Sequence, residues 1–110
     1  MNKIYSFLGL MQKSGNLCSG DDTVEIEIKK NNVVFLIISA DASNNTKNRF
    51  TALASRKNLE YLIIGDKDDL GYAIGKSPRS VLGIKNAGFA KAFKEKASHI
   101  KNGGECIVKN

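Results

Sequence analysis

The fold of this chain is decided by the stretch Val33-Val34-Phe35-Leu36-Ile37-Ile38, a continuous run of β-branched, aliphatic and aromatic residues. A strand with one face in water alternates polar and apolar residues, whereas this run has no polar position. The pattern is typical of a strand that is buried on both faces, as in sheets covered by helices on either side. We therefore predict an α/β protein with a central sheet between two helical layers.

The segments around this run alternate between helical and strand patterns. Residues 61–64, closed by Gly65, predict a second buried strand; residues 80–84 predict a third, and residues 17–19 a short fourth. Helices are predicted over residues 2–13, 44–57, 66–75 and 86–100, with these inward-facing residues: Ile4, Phe7, Leu8, Met11, Phe50, Leu53, Ala54, Leu70, Ala73, Ile74, Phe89, Ala92, Phe93, Ala97 and Ile100. We predict a three-layer α/β/α sandwich with a small mixed four-stranded sheet and about five helices.

Residues 23–28 are compatible with two structures. The sequence Thr23-Val24-Glu25-Ile26-Glu27-Ile28 alternates polar and apolar residues, as a half-buried strand does. A helix is indicated by Ser19 followed three residues later by Asp22, by acidic residues at its start and by Lys29 and Lys30 at its end. The residues alone leave the two alternatives open.

The charge of the chain is unevenly distributed. Its 110 residues carry 17 basic and 11 acidic side chains, a formal net charge of +6. Residues 76–110 hold eight of the basic and two of the acidic residues, so the excess lies in the last third. A basic chain of this size favours a polyanionic partner. The length predicts one domain over residues 1–100, followed by a tail over residues 101–110 that we expect to be mobile or loosely docked through residues 106–108.

The residues give little support for an enzyme. The two cysteines, Cys18 and Cys106, have no metal-ligand spacing, and the one histidine, His99, lies among lysines. Residues 71–75 lack the spacing of a phosphate-binding loop. We interpret four carboxylates as helix caps or turn acceptors rather than as a metal site or catalytic acids: Asp41, Asp66, Asp68 and Asp69. We predict no catalytic residue, no metal and no cofactor.

The expected compartment follows from what the sequence does not contain. No apolar run reaches the roughly 20 residues of a membrane span, and the first residues do not follow a signal-peptide pattern. We expect a cytoplasmic, reduced and monomeric protein without a membrane partner.

Three loops are predicted to meet at one edge of the sheet: residues 19–23, 41–45 and 76–80. The first N–H groups of a helix that starts near Gly20 have no intrahelical partner, so they suit phosphate or base-edge acceptors. Lys76 and Arg79 flank the only proline of the chain, Pro78, in a loop suited to positioning on a phosphate backbone. An ordinary basic surface turn explains this loop equally well.

Four stretches of the chain are familiar: residues 7–17, 19–22, 39–46 and Leu70-Gly71-Tyr72-Ala73-Ile74-Gly75-Lys76, followed by Val81-Leu82-Gly83-Ile84 and Gly88-Phe89-Ala90-Lys91. With them the chain resembles the kink-turn RNA-binding ribosomal-protein family, of the L-seven-Ae and L-thirty-e type, and within it the small bacterial YlxQ-like members. The resemblance runs from about Tyr5 to Phe93. It implies an α/β/α sandwich, a helix over residues 20–30 and an RNA-binding edge.

The resemblance also implies which residues meet RNA, and here the chain departs from the family. Kink-turn binders begin their second helix with Gly-x-Asn-Glu-x-x-Lys, whose Asn and Glu contact tandem sheared G·A pairs while the Lys contacts the backbone. This chain keeps Gly20 but has Asp22, Thr23 and Ile26 at the other three positions, so an amide donor, a strong acceptor and a phosphate contact are lost. The implied RNA-binding residues are Gly20, Asp21, Asp22, Thr23, Lys47, Lys67, Lys76, Ser77, Pro78 and Arg79.

These observations predict a ribosomal-protein-like chain that binds structured RNA, in the first place rRNA, without catalysis and with a degraded kink-turn motif. Ribosome-associated or translation-associated proteins are the further partners that this prediction implies. The alternative is a protein-interaction module that has kept the fold and lost RNA recognition, because residues 21–27 form an acidic face that suits a protein partner.

Overall fold

The computed structural model describes residues 2–98 and the two residues Gly104–Glu105. Within these residues the helices are α1 (Asn2–Lys13), α2 (Asp21–Lys29), α3 (Asn44–Arg56), α4 (Lys67–Ala73) and α5 (Ala87–Ala97). The strands are β1 (Leu17–Ser19), β2 (Phe35–Ile38), β3 (Glu60–Ile64), β4 (Val81–Ile84) and β5 (Gly104–Glu105). His99 and residues 106–108, on which two of the sequence predictions rest, lie outside the described residues.

The strands form one mixed sheet in the order β1-β4-β2-β3-β5. The central strand β2 pairs in parallel with β3 and antiparallel with β4, so that Leu36 lies between Tyr61 and Gly83. The strand β1 pairs antiparallel with β4. The predicted four-stranded mixed sheet is confirmed, and the two-residue strand β5 extends it at the free edge of β3.

Helices cover both faces of the sheet, as the apolar run predicted. Because side chains of a strand alternate between its faces, Phe35 and Ile37 contact the core beneath α1, α4 and α5. Leu36 and Ile38 face the second core beneath α2 and α3. All four residues of β2 are at most 1% exposed. The three-layer α/β/α sandwich is therefore confirmed.

The structure also decides between the two alternatives for residues 23–28. They belong to α2, in which Val24 and Ile28 are buried while Ile26 is 52% exposed. A strand would have turned these three side chains to the same face, whereas a helix places positions four apart together and turns the middle one away. The helix that the resemblance implied is confirmed.

Several details of the predicted core are wrong; on α4, the predicted Ala73 is only half-buried. The strand β2 begins at Phe35, and Val34, which lies before it, is 38% exposed. On α5 the buried residues are Ala90, Phe93 and Ala97, spaced by three and four, whereas the predicted Ala92 is only half-buried. Ile100, predicted on the same face, lies outside the described residues. In the part of the chain that is described, no helix has the length and apolar character needed to cross a membrane.

Candidate functional site

Two of the three predicted loops, residues 19–23 and 76–80, come together at one edge of the sheet, and the third follows Ser39, which bonds to the same edge. The Gly20 N–H donates to the Val81 carbonyl across 3.1 Å, which joins the start of α2 to the start of β4. The Ser39 N–H donates to the Ser80 carbonyl across 2.8 Å, which joins the end of β2 to the same point. Backbone hydrogen bonds thus join the ends of three segments that are far apart in the chain, and the edge they form is here called the loop edge (residues 19–23, 39–45 and 76–80).

A polar cleft of about 440 Å³ lies in this edge. Its lining unites six of the ten predicted site residues with two further serines: Ser19, Gly20, Asp21, Asp22, Thr23, Pro78, Arg79 and Ser80. Gly20 is the N-cap of α2, has a φ of 93° and provides no side-chain cap. A positive φ of this kind favours glycine. The first N–H groups of α2 therefore remain available to an acceptor in the cleft.

Arg79 fixes the shape of the cleft. Its Nε donates to the Ser19 Oγ across 3.2 Å, and its Nη1 donates to the Ser77 Oγ and carbonyl oxygen across 2.7 and 3.1 Å. The backbone N–H of Arg79 donates to the Lys67 carbonyl across 3.0 Å. Among the described residues, its Nη2 has no hydrogen-bond partner. Arg79 thus holds β1 and the loop together and retains donors for a ligand.

Gly71 allows the loop that carries Pro78 and Arg79 to pack directly on α4. A Cβ on Gly71 would lie 2.7 Å from the carbonyl carbon of Ser77 and 2.8 Å from the Cα of Pro78, and would also meet the Ser77 carbonyl oxygen. These are backbone atoms, which cannot swing away as a flexible side chain does. The stretch Leu70–Lys76, one of those that carry the family resemblance, therefore has a steric reason for its glycine at position 71.

Gly71→Ala is expected to lower the free energy of unfolding by about 1–3 kcal/mol, because the new methyl group overpacks the contact between α4 and the loop. Urea unfolding followed by circular dichroism measures this change. Gly88→Ala is the matched control, since Gly88 is also helical and its added Cβ would meet only the Asn86 side chain, at 3.1 Å. That control is expected to cost less than Gly71→Ala, because the Asn86 Oδ1, which caps α5, has to shift only slightly and alanine has the higher helix propensity. Equal stability of the two variants would contradict the steric argument.

Arg49 is a site residue that the sequence did not indicate. It reaches from α3 to the start of α2, where its guanidinium pairs with the Glu25 carboxylate and lies 3.9 Å from Asp21 and 3.8 Å from Asp22. It also lies 5.0 Å from the centroid of the Phe50 ring. The cation offsets acidic charge beside the cleft. No local pattern could have revealed this pairing, because 24 residues separate Arg49 from Glu25.

The hydrogen bond from Arg49, followed by the one from Lys29, lowers the pKa of Glu25 from 4.5 to about 2. The Glu25 pKa is depressed in the folded state, so its contribution to stability is fully present above pH 4.5 and is lost as the pH falls towards 2. We expect the melting temperature of Glu25→Gln to lie below that of the unchanged protein at neutral pH and to converge with it near pH 2. Thermal melts across this range test the expectation.

Arg49→Gln is expected to remove the same acid-dependent component, because Arg49 is the main cause of the pKa shift. Both differences should shrink in high salt, since the pair is open to solvent and screened. A difference between Glu25→Gln and the unchanged protein that persists at pH 2 would show that the ion pair is not its source.

None of the three predicted lysines lines the cleft, and only Lys67 and Lys76 are joined to the loop beside it. Lys67 starts α4 and accepts the Arg79 N–H through its carbonyl, and its side chain is exposed. Lys76 is also exposed, and its N–H donates to the Gly71 carbonyl across 2.8 Å. Lys47 is half-buried in the first turn of α3, and no contact among residues 2–98 places its side chain at the cleft.

Two of the four carboxylates that the sequence offered as caps or turn acceptors have that role here, and Asp68 and Asp69 lie in the first turn of α4. The Asp41 Oδ1 accepts the Lys67 N–H across 3.0 Å, and the Asp66 Oδ1 accepts the Asp69 N–H across 2.8 Å at the N-cap of α4. The interpretation of Asp41 and Asp66 as cap acceptors is confirmed. In the described part of the chain, no group of three His, Cys, Asp or Glu residues is arranged to hold a metal ion.

A comparison with known protein families agrees with this fold. Residues 2–94 match the Ribosomal protein L7Ae/L30e/S12e/Gadd45 family. Because the match covers most of the chain, the chain belongs to this family. The resemblance inferred from the sequence is confirmed, including its YlxQ-like character.

Two curated relatives are each called RNA-binding protein YlxQ. The one from Bacillus subtilis (strain 168) is 30% identical over 86 residues, which is 78% of this chain and 86% of the relative. The one from Enterococcus faecium is 30% identical over 93 residues, which is 84% of this chain and 89% of the relative.

Solved structures share the fold. A protein with unknown function from Bacillus halodurans C superimposes with a TM-score of 0.85 at 29% sequence identity, covering 90% of this chain and 100% of that one. A Giardia lamblia 15.5kD RNA binding protein superimposes with a TM-score of 0.72 at 20% identity, covering 88% of this chain and 83% of that one. The second likeness is one of fold.

Proposed function

We propose that this chain binds structured RNA at the loop edge, without catalysis. The observation that carries the proposal is the cleft itself, in which the open N-terminus of α2 faces the loop of Pro78 and Arg79. Helix N–H groups and an Arg fork are the donors that phosphate and base-edge acceptors require. Membership of the family and the names of the two YlxQ relatives support the same function.

Each part of the edge has a distinct role in this proposal. The exposed Lys67 and Lys76 contact phosphates, and Lys47 contributes to the surrounding field. Arg79 donates through its Nη2 while its other nitrogens hold the cleft. Ser77 and Pro78 present the loop to the RNA. Arg49 offsets the acidic start of α2, which would otherwise repel phosphate.

The start of α2 makes the proposed recognition differ from that of a standard kink-turn binder. Asp22 is 96% exposed, and its carboxylate accepts hydrogen bonds but offers no donor. Thr23 is exposed as well, and Ile26 presents an apolar side chain where the family has a lysine. We therefore infer weaker discrimination of tandem sheared G·A pairs, and binding that depends more on RNA shape and phosphate positions.

A titration of three RNAs tests this function: a kink-turn, the same RNA with its sheared pairs replaced by Watson–Crick pairs, and a plain duplex. We expect both structured RNAs to bind more tightly than the duplex, with a smaller difference between the first two than a standard kink-turn binder gives. Binding should weaken steeply as salt rises. Failure to bind any of the three at about 50 mM salt, where phosphate contacts are strongest, would refute the proposal.

The proposal extends to the cellular setting. The RNA that suits a ribosomal-protein-like domain over residues 1–100 is rRNA, and the corresponding place is the cytoplasm, on or near the ribosome. Co-sedimentation with ribosomal particles, with release by high salt, would agree with this assignment.

A second function is supported by one feature, the acidic cluster Asp21, Asp22 and Glu25 around Arg49. An acidic and basic surface of this kind also suits a protein partner. Capture of a partner from a lysate that survives nuclease treatment, together with no RNA binding in the titration above, would favour this function over the first.

A further inference from the structure

The outer face of α1 presents apolar side chains to solvent. Leu10 is 54% exposed on α1, and Tyr72 is 87% exposed on the neighbouring α4. A groove between α1 and α4 is lined by Tyr5, Ser6, Asp69, Tyr72 and Ala73. A second groove, towards α5, is lined by Lys3, Ser6, Phe7, Leu10 and Lys96. We call these two grooves with the ridge of α1 between them the α1 face.

The two sides of the α1 face carry opposite charge. On the α4 side, burial and then the nearby carboxylates of Asp69 and Asp66 raise the pKa of Tyr5. On the α5 side, the Lys96 Nζ lies 5.1 Å from the centroid of the Phe7 ring, and Lys3 lines the same groove. Glu95 also lies on the α5 side, together with Lys3 and Lys96. The three side chains together give the α5 side one excess positive charge.

Ser6 lies at the centre of this charge pattern, because it lines both grooves. Asp69 is on one side of it and Lys96 is on the other. A twofold axis that passes near Ser6, perpendicular to the face, would exchange the two sides. It would bring Asp69 of each copy to the side of the face that carries Lys96 in the other copy, and it would set Leu10 of each copy against the α4 side of the other.

We infer that the α1 face docks a second copy of this chain in an isologous dimer. Such an interface must be self-complementary, because each surface meets itself after a half-turn. The α1 face meets this requirement with opposite charges on its two sides and apolar side chains between them. A face with only one sign of charge would repel its own copy after the half-turn, whereas opposite charges on the two sides attract. The composition predicted a monomer, but it contains no information on how charge is arranged on a face.

The dimer leaves the RNA-binding proposal untouched. No residue of α1 lines the cleft of the loop edge, and no residue of the cleft lines either groove of the α1 face. Two copies joined through α1 would therefore each keep their own cleft. The dimer and the RNA-binding function can be tested separately.

Sedimentation equilibrium of the nuclease-treated protein, from about 10 µM to about 1 mM, tests the dimer. We expect the average mass to rise from the monomer towards the dimer across this range. Asp69→Lys and Lys96→Glu should each raise the dimer Kd at least about tenfold, because each reversal sets like charges against each other at two symmetric positions. The double variant should return the Kd to within about threefold of the unchanged protein.

The double variant is decisive because Asp69 and Lys96 do not pair within one copy in the described part of the chain. Restored affinity must then arise between copies. Leu10→Ala should also weaken the dimer, whereas Ile26→Ala, which removes a similarly exposed side chain from α2, should not. Circular dichroism confirms that each variant is folded. A monomer at every concentration, or a double variant as weak as the two single ones, would overturn the inference.

Discussion

Replacing Lys67 and Lys76 together by Glu is expected to weaken the binding of structured RNA by about a hundredfold or more at low salt. Both side chains are exposed beside the cleft, and neither has an ion-pair partner among the described residues. Each reversal removes a proposed phosphate contact and adds a repulsive charge at the same place. The slope of log affinity against log salt should also become shallower, because fewer counterions are released.

Arg79 is left unchanged in this variant because it has a structural task. Its bonds to Ser19 and Ser77 hold the loop, so a loss of binding in Arg79→Glu would mix a lost contact with a displaced loop. The control reverses two other exposed lysines, Lys30 after α2 and Lys91 on α5, and changes the net charge equally. We expect this control to bind several times more tightly than the first variant. Equal losses in both variants would mean that only the net charge matters and that the loop edge is not the binding surface.

Phe93→Ala is expected to lower the free energy of unfolding by about 3–5 kcal/mol. Phe93 is completely buried, and its ring lies 5.7 Å from that of Phe35, with the two planes tilted by 54°. This contact attaches α5 to the first strand position of β2. Removing the ring loses the free energy of its burial and the aromatic contact, and it leaves a cavity that the surrounding side chains fill only in part. Urea unfolding at several temperatures measures the change.

Phe89→Ala is the matched comparison on the same helix. Phe89 is only half-buried and pairs with Phe7 at 5.5 Å between ring centroids. Less apolar area is withdrawn from water there, so we expect a loss of about half that of Phe93→Ala or less. If the two variants lost equal stability, the depth of burial would not control the energetics of α5.

The buried layers of this fold could be predicted from the sequence because they depend on short-range patterns. Two patterns predict directly which faces are buried: the apolar run that includes Phe35 to Ile38, and the spacing of Phe50, Leu53 and Ala54. Capping residues are local in the same sense, and Asp66 therefore has its predicted role. The pattern was ambiguous at α2, where alternation over six residues favoured a strand while the capping and charge signals favoured a helix.

The candidate site was predicted in outline only. Proximity of the loops follows from the layer architecture, so the union of residues 19–23 with Pro78 and Arg79 could be expected. The roles of individual side chains could not. Arg49 approaches the acidic start of α2 only because α3 packs beside α2 on one face of the sheet. The steric role of Gly71 likewise appears only once the loop has been laid against α4.

By itself, the sequence determined that this protein is an α/β/α sandwich with a basic last third. Hydrophobic periodicity and net charge depend only on which residues stand at which positions along the chain. Only the tertiary structure decided where that charge acts. It placed a cation from α3 beside the acids of α2, and it put opposite charges on the two sides of the α1 face. The physical reason is that Coulomb interactions and steric contacts depend on distance in space, which separation along the chain does not give.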